Sequence, residues 1–330
     1  MYIIFSCLLF ERIDLCTVKN IFCFFHNFGY YYNFCFIRFL DVVEALMAKG
    51  RYEEAMRLMD PLVESEAYKS AAAVWLTHGE CKRHLGYLEE AKKSYAQVIN
   101  LAPQHIQARL TLSSIHCQMD DLEAALNVLH SKEPEARLLY EEFLLLLQHR
   151  PDDSVQVAVT LMTQYLKPGR VKEMYELVLL KKKRDGFDKE VCSRSYFNFI
   201  LYDVQIFKVE NGPLEPELLN VTLRASELCI RSGRFRELKK LAFLAAHIKP
   251  LQPHSKLLEF LIVMACVYCK DANLAWIFCR NLLYNHPLST YAWHLFGLTC
   301  RHLEDPKHVR FVTRLFCKVI FLCPWAIFKF

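Results

Sequence analysis

AAVWLTHGECKRHLGYLEEAKKSYAQVINLAP, residues 72–103, decides how the rest of the chain is read. Trp75 and Gly79 stand about one helical turn apart, on one face. Gly86 follows where a helix needs a residue that accepts a left-handed backbone to end it. Glu89 and Glu90 then open a second helix with the charge its positive end prefers. Ala91 falls one turn in, Tyr95 comes one turn later, and Pro103 cannot continue the helix. Two antiparallel helices approach closely only where small side chains meet. Gly79 and Ala91 are therefore expected at the crossing, with Trp75 and Tyr95 filling the space around it.

The same spacing recurs on both sides. Upstream, LDVVEALMAKGRYEEAMRLMDPL puts Gly50 and Ala55 where the quoted stretch has Gly86 and Ala91. Downstream, ARLTLSSIHCQMDDLEAALNVL puts Asp120 and Ala125 there. The alanines are separated by 36 residues (55 to 91) and 34 residues (91 to 125). A repeat of 34 residues with a large aromatic, small residues at the crossing, a second aromatic and a proline stop is the tetratricopeptide pattern. The fold class expected is all-α, a tetratricopeptide superhelix (α-solenoid) with an irregular helical insert. Further on, the units weaken. Gly233, Leu238 and Pro250 mark one, Ala275 and Pro287 another, and Trp293 with Gly297 repeats the spacing of Trp75 with Gly79.

The organisation expected is repeats over 38–131, an irregular helical insert with loops over 132–217, degenerate repeats over 218–316, and atypical ends at 1–37 and 317–330. The insert holds LYEEFLLLLQHR, which reads as helix, and KKKRDGFDKE and VENGPLEPE, which read as loops. The first segment is crowded with Phe, Tyr, Ile and Asn. It lacks the cleavage site of a signal peptide and falls short of a clean apolar span. AT-rich codons encode those residues, so the composition favours translated non-coding sequence over a membrane-contacting segment. Neither end is expected to carry function.

Composition narrows the chemistry. The chain has 330 residues, 53% hydrophobic and 23% charged, which argues against disorder over most of its length. A net charge of +5 and a pI near 8.4 permit contact with nucleic acid but do not argue for it. The 14 cysteines sit mostly in apolar helical runs, among them Cys81, Cys117, Cys229, Cys266, Cys279 and Cys300, and read as small hydrophobes in a reducing compartment. Only 9 glycines are present, and no phosphate-binding glycine loop, GxSxG or HExxH occurs. Cys266 and Cys269 form a CxxC without a second ligand pair, so core packing outweighs zinc. No catalytic, cofactor or metal residues are expected, and the chain reads as non-enzymatic. Lys181, Lys182, Lys183 and Arg184 read as a solvated charge cluster or as a nuclear localisation signal.

Residues 74–129 and the stretch YAWHLFGLTCRHLEDPKHVRFVTRLF resemble the second tetratricopeptide array of the third subunit of general transcription factor IIIC. The resemblance runs from about residue 39 to 316, in the order of units around the long insert. It implies a nuclear scaffold of the RNA polymerase III system, with other factor IIIC subunits and factor IIIB, through its TFIIB-related subunit, as partners. DNA is then met only through the assembly, and no membrane is expected. The family's first array and C-terminal array have no counterpart here, so a fragment is expected. A generic adaptor, a cochaperone or a subunit of another large complex, is the alternative. The basic clamp for a C-terminal carboxylate that would favour the cochaperone is missing. Repeat position nominates Leu76, Glu80, Arg83, Leu110 and Ser114 as residues lining a groove between successive first helices.

Overall fold

The computed structural model describes residues 32–66, 68–130, 135–165 and 212–302. The aromatic segment before residue 32, the Lys181–Arg184 run and the tail after residue 302 lie outside the described residues. The chain divides into two compact units, Met1–Leu129 and His130–Phe330. No strand occurs among the described residues.

The described residues of the first unit form three antiparallel helix pairs: α1 (Tyr32–Ala48) with α2 (Tyr52–Glu64), α3 (Ala72–His84) with α4 (Leu88–Leu101), and α5 (Ile106–Gln118) with α6 (Leu122–Leu129). The turn inside each pair has one geometry. Gly50, Gly86 and Asp120 carry positive φ of 74°, 84° and 58°. The next residue's N–H then reaches five residues back, from Arg51 to the Leu46 carbonyl, Tyr87 to Lys82 and Asp121 to His116, each at 2.9 Å. This is the Schellman closure, which satisfies carbonyls a helix end leaves bare. Glycine accepts that backbone without a side-chain clash, and aspartate tolerates it better than most residues.

Crossing residues sit where close packing requires. Ala55, Ala91 and Ala125 are fully buried. A Cβ on Gly79 would stand 3.2 Å from both Ser94 Cβ and Tyr95 Cε2, so the missing side chain is what lets α3 meet α4. Pro103 lies just past α4, exposed.

A second regularity concerns the joints between pairs. Trp75 Nε1 donates to the Lys69 carbonyl at 2.9 Å, and Arg109 Nε to the Pro103 carbonyl at 2.8 Å. In the other unit Trp293 Nε1 donates to the Pro287 carbonyl at 2.8 Å. All three hold the same place in their repeats. Each latches its helix onto the loop that leads into it. Arg109 also donates to the Val128 carbonyl at 2.7 Å, closing its own pair.

The second unit holds α7 (Ala136–His149) with α8 (Pro151–Gln164), α9 (Glu215–Arg231) with α10 (Phe235–Ala246), a 3₁₀ turn (Lys249–His254), α11 (Ser255–Tyr268) with α12 (Ala272–Asn285), and α13 (Thr290–Arg301). The span expected to be an irregular insert therefore contains a regular pair. Its turn has no glycine: Arg150 N–H bonds to Leu146 at 2.7 Å and Pro151 opens α8. This pair shares one core with α9 and α10, where Phe143, Val155, Leu161 and Met162 meet Leu218, Val221, Leu238 and Leu241. Arg137 reinforces the joint, donating to both Glu217 oxygens at 3.2 Å and to Glu141 at 2.9 Å. Arg234 bonds the Asp152 carbonyl at 2.9 Å. The Tyr165 hydroxyl comes within 3.5 Å of the Pro213 carbonyl, joining the end of α8 to the residues that lead into α9.

The turns of the second unit repeat those of the first. Gly233 has φ 69° and Lys270 φ 57°, with Arg234 bonded to Cys229 at 2.8 Å and Asp271 to Cys266 at 3.1 Å. A lysine in this conformation is strained by about 1–2 kcal/mol. Lys270→Gly relieves that strain and gives back part of it in unfolded-chain entropy. It should stabilise the chain by about 0.5–1 kcal/mol. A urea midpoint at or below that of the parent would contradict the strain. Cys229, Cys266 and Cys279 are buried in this core, and burial pushes the thiols of Cys266 and Cys279 up to about 12. They are packing groups at neutral pH, not thiolates. No helix among the described residues is long and apolar enough to cross a membrane.

Candidate protein-binding surface

Counting back from the turn residue puts equivalent positions of successive first helices in register. Leu40, Leu76 and Leu110 share one position, all half-buried. Glu44, Glu80 and Ser114 share the next turn, and Met47, Arg83 and Cys117 the last. Of the residues nominated from sequence, Leu76, Glu80, Arg83 and Leu110 are half-buried and Ser114 is exposed. Leu76 packs against the core of Tyr95, Ala108 and Leu112, so α3, α4 and α5 meet beneath it.

Polar groups surround this row. Tyr95 is 1% exposed, and its hydroxyl is sealed from solvent beside the Arg83 guanidinium. Burial pushes its phenol up to about 12, Glu80 adds to the rise and Arg83 opposes it, so the three are neighbours. Arg83 Nη2 donates to His84 Nε2 at 2.9 Å, while Arg83 Nε is buried without a partner. His84 in turn stacks on Tyr52, 4.4 Å between ring centres.

Below the row lies a buried histidine. His78 Nδ1 stands 3.0 Å from Ser94 Oγ, and its Nε2 3.4 Å from Asp60 Oδ1. Burial foremost, with Lys82 adding to it, lowers the His78 pKa against the opposing carboxylates of Asp60 and Glu90. The Ser94 hydroxyl donates to the Glu90 carbonyl at 3.2 Å, and its oxygen holds the His78 ring at Nδ1. His116, beside Asp121 at 3.7 Å, is likewise lowered by burial. Both pKa values lie below that of an unfolded histidine, about 6.5. The unfolded chain therefore binds the extra protons first, and stability present above that value is lost as pH falls through it. The urea midpoint should drop from pH 8 to pH 5.5, and His78→Gln should flatten the decline. An unchanged midpoint would show the two rings are not held neutral.

The second unit presents the same register positions with other residues. Leu223 and Ile230 on α9 are 38% and 39% exposed, and Tyr268 on α11, one residue past the last register position, is 45% exposed. Phe260 stands 5.8 Å from Tyr291, whose hydroxyl reaches Met264 Sδ at 3.2 Å. Repeat position in the sequence nominates none of these residues. The signal that would find Leu223 and Ile230 is the Gly233 turn, and for Phe260 it is the turn at Lys270, hidden because the residue there is not glycine. Ala275 is buried, Pro287 exposed and Trp293 half-buried, whereas Gly297 is exposed with no described atom near its missing Cβ. Among the described residues no group of three His, Cys, Asp or Glu could hold a metal ion.

Successive antiparallel helix pairs, most closed by left-handed turns and those of the first unit crossing at alanine, define a tetratricopeptide α-solenoid, and the profile of the tetratricopeptide repeat family matches residues 72–105. The chain is also similar to General transcription factor 3C polypeptide 3 of Homo sapiens, 28% identical over 306 residues. That match covers 85% of this chain and 34% of that protein, so the chain spans about a third of its relative. The resemblance carried by residues 74–129 and the Trp293 stretch is thus to this same protein. Similar solved structures include a tetratricopeptide repeat protein from Parabacteroides merdae, at 18% identity and TM-score 0.35, covering 80% of this chain and 98% of that one. Another is Naa15/Naa10 bound to HypK-THB, at 15% identity and TM-score 0.34, covering 95% and 42%.

Proposed function

We propose that this chain is a protein-binding scaffold of a transcription factor IIIC-like assembly in the nucleus, helping to bring factor IIIB to RNA polymerase III promoters. The single observation that carries the reading is the similarity over most of the chain to General transcription factor 3C polypeptide 3. The fold suits it, because successive first helices offer rows of side chains to an extended partner. Its partners are the other factor IIIC subunits and the TFIIB-related subunit of factor IIIB, with DNA met through the complex. The rows centred on Leu76 and Leu110 in one unit, and on Leu223 and Phe260 in the other, are the surfaces assigned to them. Affinity purification of the tagged chain from nuclear extract should recover factor IIIC and factor IIIB subunits. Recovery of chaperones or ubiquitin-ligase subunits alone would sink the reading in favour of a generic adaptor.

A further inference from the structure

We infer that the turn end of the second unit, where Arg236 and Lys240 of α10 and Lys270 just past α11 stand around Tyr268, binds a short acidic segment of a partner protein. The inference rests on the reading of this chain as a protein-binding scaffold and specifies the chemistry that one of its surfaces takes.

Three observations converge. First, the cations there are unmatched. Arg236, Lys240 and Lys270 are exposed, and among the described residues none has a carboxylate within ion-pair distance. The nearby acids are already taken, Asp271 by Lys239 at 2.7 Å, and Asp152 and Glu237 by Arg234 at 3.3 and 3.5 Å. Burial raises the Cys269 thiol, and Lys239 and Arg236 oppose that rise, so Arg236 lies beside the end of α11. Lys240 follows Arg236 by one turn, on the same face of α10.

Second, Lys270 keeps its place against a backbone cost. Its φ is 57°, where Gly50, Gly86 and Gly233 make the equivalent turns. Asp120 is the other exception, and aspartate tolerates this conformation as lysine does not. The attraction between a cation and a helix C-terminus repays only part of that strain. Strained residues persist where a site needs their side chain. Third, an aromatic ring stands among the cations. Tyr268 is 45% exposed and stacks on Phe235, 4.8 Å between ring centres and 15° from parallel. Phe235 fixes that ring from one side, so Tyr268 presents a pre-set apolar surface next to positive charge.

Charge complementarity selects the occupant. Unmatched cations call for acids, and the ring takes an apolar side chain between them. A nucleic-acid backbone would carry its phosphates on past the turn, toward Asp152 and Asp153 at the start of α8, beside Arg234. A peptide can confine its acids to the cations.

The test pans a random twelve-residue peptide library displayed on phage against the full chain. Enriched sequences should carry several Asp or Glu around an aromatic or aliphatic residue. By fluorescence anisotropy, the best synthetic peptide should weaken about threefold with each of Arg236→Gln, Lys240→Gln and Lys270→Gly, the loss expected for one exposed ion pair. All three together should cost about thirtyfold, because separate cations add. Lys270→Gly should at the same time raise the urea midpoint. Binding and stability then move in opposite directions, which a lysine with a structural role alone would not produce. Enrichment of basic or uncharged sequences, no enrichment, or parent-like binding by the triple variant would overturn the inference. So would a random-sequence DNA duplex that binds more tightly than the best peptide and is lost in the triple variant. Peptide binding does not depend on which nuclear proteins co-purify, so failure here and failure of the scaffold reading are separable.

Discussion

Gly79→Leu is expected to unfold the central helix pair of the first unit. Even a lone Cβ at that position stands 3.2 Å from Ser94 Cβ and from the Tyr95 ring. Tyr95 is 1% exposed and has no space to retreat into, and Ser94 is a rigid part of α4. Relief requires α3 and α4 to move apart, which breaks the His78–Ser94 contact and exposes Ala91. Overpacking of this kind costs about 1–3 kcal/mol for a few added atoms and more for a branched side chain at a helix crossing. Gly79→Ala separates two effects. Alanine gains about 1 kcal/mol of helix propensity over glycine, against a contact a few tenths of an ångström too close. It should fall near the parent. Thermal melts followed by circular dichroism distinguish the cases, and a leucine variant melting with the parent would mean that the helices do not meet at residue 79.

Phe143→Ala should cost the second unit about 3–5 kcal/mol, the usual range for emptying a buried aromatic site. Phe143 is fully buried on α7, in one core with α9 and α10. The prediction tests whether α7 and α8 belong to the stack at all, because a peripheral pair would lose little. Phe143→Leu keeps most of the volume and should lose under about 1.5 kcal/mol. Both are read from urea unfolding of the full chain. A loss below about 1 kcal/mol for the alanine variant would place this pair outside the core.

These two positions show what the sequence discloses and what it conceals. Gly79 is legible because a small residue one turn after a tryptophan, in a 34-residue period, marks a helix crossing. Gly50 and Gly86 are legible because a left-handed turn favours glycine so strongly. Lys270 makes the same turn against that preference, and the hairpin it closes is marked in the sequence only by Ala275 and Pro287. Phe143 sits in a stretch without repeat spacing. Its pair turns through Arg150 and Pro151, and its partners arrive only after residue 212. No local pattern encodes that pairing. Repeat position alone nominates Arg83, but its neighbour Tyr95 comes from another helix and reads in sequence only as a packing aromatic. That an arginine at 109 takes the part of a tryptophan at 75 is visible only once both are seen bonded to the preceding loop.

The near contact of Tyr165 with Pro213 ties the end of α8 to the start of α9. Phe143, Leu161, Leu218 and Leu238 lie in one buried cluster that spans all four helices. The two pairs therefore depend on side-chain packing for their union, and not on the backbone alone. A chain cut between residues 165 and 213 should leave two pieces that still find each other, whereas a polar residue at 161 or 218 would part them with every peptide bond intact.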